Sequence, residues 1–196
     1  MTWIEAIAAV AGLLCVWLVG RQSILCWPAG LVQVTLYVFV FYHAKLYSDL
    51  LLHLIYIVLQ IYGWYAWLHG GRGGGALAVT TLSNQRRLLW LVVTFGAAAG
   101  WGALMARTTD AALPFADAFT LAASLVAQWL QTRKKIESWV WWIGVDVVAI
   151  VMFANRQLYI TSALYAAFLV LCVTGFAQWR RELRGPEAPV LPARLA

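Results

Sequence analysis

Charge is what this sequence has least of. Only 11% of its 196 residues are Asp, Glu, Lys or Arg, against about 25% in an ordinary soluble domain. Hydrophobic residues make up 63%, and the mean hydropathy is positive. Such a composition excludes a water-soluble globule and requires a bilayer. Histidine is scarce too: His43, His53 and His69 stand apart, and no group of His, Cys and carboxylate has metal-ligand spacing. No serine sits in a nucleophile elbow and no two acids stand at a catalytic spacing, so an enzyme would have to be built from residues that show no sign of it. The sequence points to no cofactor. The three cysteines, Cys15, Cys26 and Cys172, lie singly in apolar stretches, which excludes a disulfide framework and makes them small buried hydrophobes. No basic start precedes a small-residue cleavage site, so the first apolar run is expected to remain as a helix.

What is abundant agrees. Twelve Trp and eight Tyr suit the headgroup level, where one edge of the ring is wet and the other dry. Apolar runs of spanning length occur at 3–20, 24–42, 46–68, 88–106, 113–131, 138–155 and 158–179. They predict an all-α membrane protein of seven transmembrane helices in one domain over 1–196. The stretch 69–87, with its Gly-Gly-Arg-Gly-Gly-Gly, has no trailing Gly-Lys-Ser/Thr and reads as a flexible linker rather than a phosphate loop. The net charge of +6 comes from residues between apolar runs, and so reads as topology signal rather than a nucleic-acid patch. Alternate connections hold eleven basic residues (Arg21; Arg72, Arg86, Arg87; Arg133, Lys134, Lys135; Arg180, Arg181, Arg184, Arg194) against three (Lys45, Arg107, Arg156). The positive-inside rule then predicts an outside N-terminus and a cytoplasmic tail from residue 180 to 196.

The chain also repeats itself. A gapless shift of 112 positions pairs residues 5–67 with 117–179 and gives sixteen identities in sixty-three pairs. Trp17, Arg21, Trp27, Gly63 and Trp67 meet Trp129, Arg133, Trp139, Gly175 and Trp179. Paired tryptophans and glycines in one register exceed what apolar bias produces. Two parallel three-helix repeats, 3–68 and 113–179, with the helix at 88–106 restoring direction, make a three-plus-one-plus-three bundle. Parallel repeats around a central site are a transporter plan, although a fold alone does not prove transport.

Four carboxylates lie in or at the ends of the spans. Glu5, Asp49 and Asp117 fall near outer ends, where capping or a wet vestibule accounts for them as well as substrate does. Asp146 falls midway along the sixth span, where an acid costs roughly 2.5 to 3.5 kcal/mol on insertion scales. Either an interhelical hydrogen bond or a ligand repays that cost. Trp142 and Trp139 precede it by four and seven residues on one helical face. An indole beside a mid-membrane carboxylate suits an aromatic cation, which stacks while its charge is balanced. Gln33, Gln60 and Gln128 place amides at depth, fit either for a ligand's hydroxyls and carboxamide or for helix-to-helix bonds.

Several segments carry a family likeness: Ala44-Lys45-Leu46-Tyr47-Ser48-Asp49 and Ile61-Tyr62-Gly63-Trp64-Tyr65-Ala66-Trp67 in the first half, and Ala127-Gln128-Trp129-Leu130, Arg133-Lys134-Lys135-Ile136-Glu137-Ser138-Trp139 and Leu158-Tyr159-Ile160-Thr161-Ser162-Ala163-Leu164-Tyr165 in the second. Together with Trp3-Ile4-Glu5-Ala6 they resemble the PnuC family of nicotinamide riboside transporters over residues 3–179. The resemblance implies a SWEET-related bundle in the bacterial inner membrane, a homotrimer in lipid, and facilitated diffusion with trapping by cytoplasmic phosphorylation. It places the family's substrate motif, a Trp followed four residues later by a polar side chain, on Trp142 and Asp146. Asp at 146 departs from the Asn of riboside-transporting members. The expected substrate is nicotinamide riboside, bound by Trp142, Asp146, Gln128, Gln60, Tyr165, Gln33 and Trp139. Thiamine, also a cation, is the alternative. A membrane-embedded enzyme or a structural subunit would differ by turnover without a vesicle or by an obligate partner.

Overall fold

Long apolar runs in a chain that cannot leave backbone groups unpaired in lipid have one solution here, the helix. The computed structural model describes residues 3–43, 45, 47–109 and 112–185. Among these it has seven α-helices: α1 (Trp3–Gly20), α2 (Cys26–His43), α3 (Tyr47–His69), α4 (Asn84–Thr108), α5 (Pro114–Thr132), α6 (Glu137–Asn155) and α7 (Tyr159–Leu183). Ala44 and Leu46, the side chain of Asp49, and the tail beyond residue 185 with Arg194 lie outside the described residues.

Five of the helices, α1, α3, α4, α6 and α7, are long and apolar enough to cross a membrane by length and composition. The other two, α2 and α5, hold interior polar groups. Helix α5 buries Ser124, Gln128, Gln131 and Thr132, because α3, α4 and α6 surround it and turn those side chains towards protein instead of lipid.

Packing follows the repeat. Helix α2 lies between α1 and α3, and α6 between α5 and α7; the halves join where α1 meets α7 and α3 meets α5. The first helix of each repeat thus packs on the third helix of the other. Helix α4 packs on α5. Backbone detail obeys the same shift of 112. Non-glycine residues with left-handed φ are Gln22 (56°) and Lys134 (51°), then Lys45 (58°) and Gln157 (59°), two repeat-related pairs among the described residues. At the heart of each half an indole lies across a glycine: a β-carbon on Gly63 would strike Trp27, and one on Gly175 would strike Trp139. Trp27 meets Trp67 edge-on at 5.2 Å and Trp139 meets Trp179 edge-on at 5.4 Å.

The glycine-rich segment has local structure of its own. Gly73 and Gly74 take φ of 67° and 80°, closing a 3-10 turn, Arg72–Gly74, that ordinary residues would resist. The chain then docks. Leu77 N–H donates to the carbonyl of Trp67 (3.0 Å), Thr80 pairs in parallel with the α5–α6 turn through bonds to Lys134 and from Ile136 (both 3.1 Å), and Leu82 N–H donates to Glu137 Oε1 (3.0 Å). Val79 and Leu82 are buried. Helix α4 therefore starts at Asn84, four residues before the expected 88, with Ser83 as its cap and Arg87 paired to Glu137 at 2.8 Å.

Candidate functional site

The two repeats are alike in their frames and unlike where chemistry is needed. Position 142 is Trp where its repeat mate is Gly30; 146 is Asp where the mate is Val34; 172 is Cys where the mate is Gln60. The second half carries the indole, the carboxylate and the amide of Gln128, and the first carries the amides of Gln33 and Gln60.

Asp146, on α6, is 4% exposed. Its side chain interacts with the thiol of Cys172 on α7, and its Oδ2 has no hydrogen-bond partner among the described residues. A buried carboxylate oxygen left unpaired is costly, and a proton, a water or a ligand repays that cost. On neighbouring α5, the amide Nε2 of buried Gln128 is likewise unpaired, so an acceptor and a donor are both left open on adjoining helices. Trp142 is half-buried, one turn from Asp146, and its Nε1 donates to Gln131 Oε1 at 2.8 Å.

The amides of the first half are fitted against glycines of the same repeat: Gln60 on α3 packs on Gly30 of α2, and Gln33 on α2 packs on Gly12 of α1. Tyr165 stacks on Phe153 at 5.3 Å and meets Phe168 edge-on. Trp139 stands apart from the other candidates. It is 1% exposed, wedged between Gly175 and Trp179, and belongs to the central core with Trp27, Trp67 and Trp179. Its helical face is shared with Trp142, yet its ring is consumed by packing.

Two groups were missed from sequence. Tyr56 on α3 donates to Ser124 Oγ on α5 at 2.7 Å, a tie between the halves. Lys134 is almost fully buried; its Nζ donates to the Leu77 carbonyl at 2.9 Å and lies 4.6 Å from the Trp67 ring. Burial holds its amine below the usual lysine value. At the opposite end Asp117 pairs with Arg156 at 3.6 Å, which gives that acid a local partner. Two surface grooves, one between α1 and α7 beside Leu14 and Trp17 and one along α2 beside Leu31 and Thr35, are apolar and lined by none of the candidate residues.

A helical bundle of two parallel repeats, with Asp146, Gln60 and Gln128 buried inside it, has the plan of a multi-pass membrane transporter. The chain belongs to the nicotinamide mononucleotide transporter family, whose model matches residues 2–181. It is 31% identical to the nicotinamide riboside transporter PnuC of Escherichia coli K12, over 94% of this chain and 87% of that protein. It is also 31% identical to the PnuC of Neisseria mucosa, over 93% and 74%. A riboflavin/roseoflavin transporter, RibM of Streptomyces davaonensis, is 24% identical over 96% and 90%. A crystal structure of the vitamin B3 transporter PnuC superposes with a TM-score of 0.73 at 28% identity, covering 93% of this chain and 82% of that one.

Proposed function

We infer that this chain carries nicotinamide riboside into the bacterial cytoplasm by facilitated diffusion, with phosphorylation of the imported nucleoside as the trap. The observation that carries the reading is the unpaired, buried oxygen of Asp146 one helical turn from the Trp142 indole. A pyridinium ring stacks on the indole while its charge repays the desolvation of the acid. Gln128, Gln60, Gln33 and Tyr165 serve the hydroxyls and the carboxamide. Trp139 supports the helix from behind. The sign of the site matters: a neutral ligand can only hydrogen-bond to the carboxylate, whereas a cation also balances its charge.

Thiamine is the second reading, because its thiazolium satisfies Asp146 equally well. The eleven-to-three basic bias supports an outside N-terminus, a cytoplasmic C-terminus and residence in the inner membrane. The homotrimer in lipid rests on the family likeness.

Titration of purified protein with nicotinamide riboside, thiamine and riboflavin, read by quenching of tryptophan fluorescence, tests the assignment. Saturable quenching by the riboside alone supports it, and quenching by thiamine alone reassigns the substrate. Binding of neither cation would sink both readings.

A further inference from the structure

Gln131 stands at the inner end of α5 and accepts from two indoles on two other helices. Its backbone carbonyl takes the Trp67 Nε1 proton at 3.0 Å, and its side-chain Oε1 takes the Trp142 Nε1 proton at 2.8 Å. The residue is buried. The first bond belongs to the frame, because its repeat mate is present: Trp179 donates to the carbonyl of Val19 at 3.0 Å. The second bond has no mate. Residue 19 is Val and residue 30 is Gly, so donor and acceptor are both missing from the first repeat.

Both members of this hydrogen bond thus depart from the repeat together. An indole that merely fills space needs no side-chain acceptor, whereas one that must present a defined face to a flat ring does, since the bond fixes the ring's torsion about its attachment. We propose that Gln131 is a positioning residue that orients the Trp142 indole for stacking on the substrate. The inference rests on the reading of Trp142 as the stacking surface. It adds a residue that contacts no substrate, and it makes aromatic-ring selectivity depend on the end of α5.

The test uses the full-length protein with its indole nitrogens labelled with nitrogen-15. The Trp142 resonance is identified by its disappearance in Trp142→Phe. In Gln131→Met, which keeps the length of the side chain and removes the acceptor, the Trp142 indole proton moves upfield and the dissociation constant for nicotinamide riboside rises roughly fivefold, the effect of one hydrogen bond. In the Trp142→Phe background the same substitution changes binding no further. An unmoved Trp142 resonance, or an equal loss of affinity in both backgrounds, overturns the proposal. Should the methionine variant fail to fold, Gln131→Glu reports on the same bond: a stronger acceptor draws the resonance downfield, and no movement overturns the proposal. The resonance is read without ligand. A wild-type protein that binds no riboside would therefore sink the substrate assignment while the orienting bond is still judged by its own signal.

Discussion

The indole of Trp179 donates to the carbonyl of Val19, and 112 positions earlier the indole of Trp67 donates to the carbonyl of Gln131, both at 3.0 Å. Each repeat supplies the donor for the other. Replacing either Trp by Phe keeps most of the packing and removes one buried hydrogen bond, at a cost of about 0.5 to 1.5 kcal/mol, because each carbonyl still accepts from a turn N–H, Gln131 from Lys134 and Val19 from Gln22. Trp67→Phe and Trp179→Phe are expected to lower the melting temperature in detergent by similar amounts, and a large inequality would show that the two bonds are not equivalent.

Gly63 and Gly175 lie beneath Trp27 and Trp139 with no room for a methyl group. Alanine at either forces a rigid ring out of its rotamer, and overpacking of this kind costs typically 1 to 3 kcal/mol. Alanine at Gly96 or Gly100 on α4, where a β-carbon meets nothing within 4 Å, is expected to be harmless. Thermal unfolding of the four variants checks the contrast.

Asp146→Asn retains size and hydrogen bonding but removes the only full charge proposed to face the ligand. Loss of one partner of a buried charge pair costs on the order of thirtyfold or more in affinity. Gln60→Ala is expected to cost about fivefold, as for a neutral hydrogen bond. Equal losses in a binding titration would make Asp146 a structural residue.

Much of this was legible. The tryptophan and glycine frame could be read because both partners of each contact recur at one shift, as Trp27 with Gly63 and Trp139 with Gly175 do. The packing of Trp139 on Gly175 is not legible, because helical spacing assigns residues to a face without saying which of them a neighbouring glycine will claim. Gln131, at the end of a span, reads as a boundary residue until the two indoles are seen to converge on it. The docking of the linker is not legible either, because glycine content signals flexibility, while the bonds of Leu77 and Thr80 are made by backbone groups that leave no mark in side-chain composition.

Lys134 holds that docked segment through the Leu77 carbonyl. Lys134→Met removes the bond and leaves an apolar stem over Trp67. Limited trypsin digestion is expected to cut after Arg72 about tenfold faster or more in the variant, in line with a lost charge-assisted hydrogen bond of about 1.5 to 3 kcal/mol. Unchanged cleavage would mean that the remaining bonds of the segment, from Leu77 to Trp67, between Thr80 and the α5–α6 turn and from Leu82 to Glu137, suffice without it.

The proposed orientation places Ser23 in the cytoplasm, in the turn between α1 and α2. With Cys15, Cys26 and Cys172 all buried, Ser23→Cys gives a single accessible thiol. A membrane-impermeant maleimide is expected to label it in inverted vesicles and to spare it in spheroplasts; the opposite pattern reverses the topology.

The reciprocal bonds of Trp67 and Trp179 are those of a two-fold dimer, in which each copy completes the other. A half-length chain pairing with itself would satisfy both bonds, but it would offer two identical walls to whatever passes between them. Joining the halves covalently through α4 releases them from that identity. Gly30 and Val34 stay small in one repeat, while the other gains Trp142 and Asp146, which the proposed function makes the stacking surface and the counter-ion for a molecule that is itself lopsided, charged at one end and hydroxylated at the other.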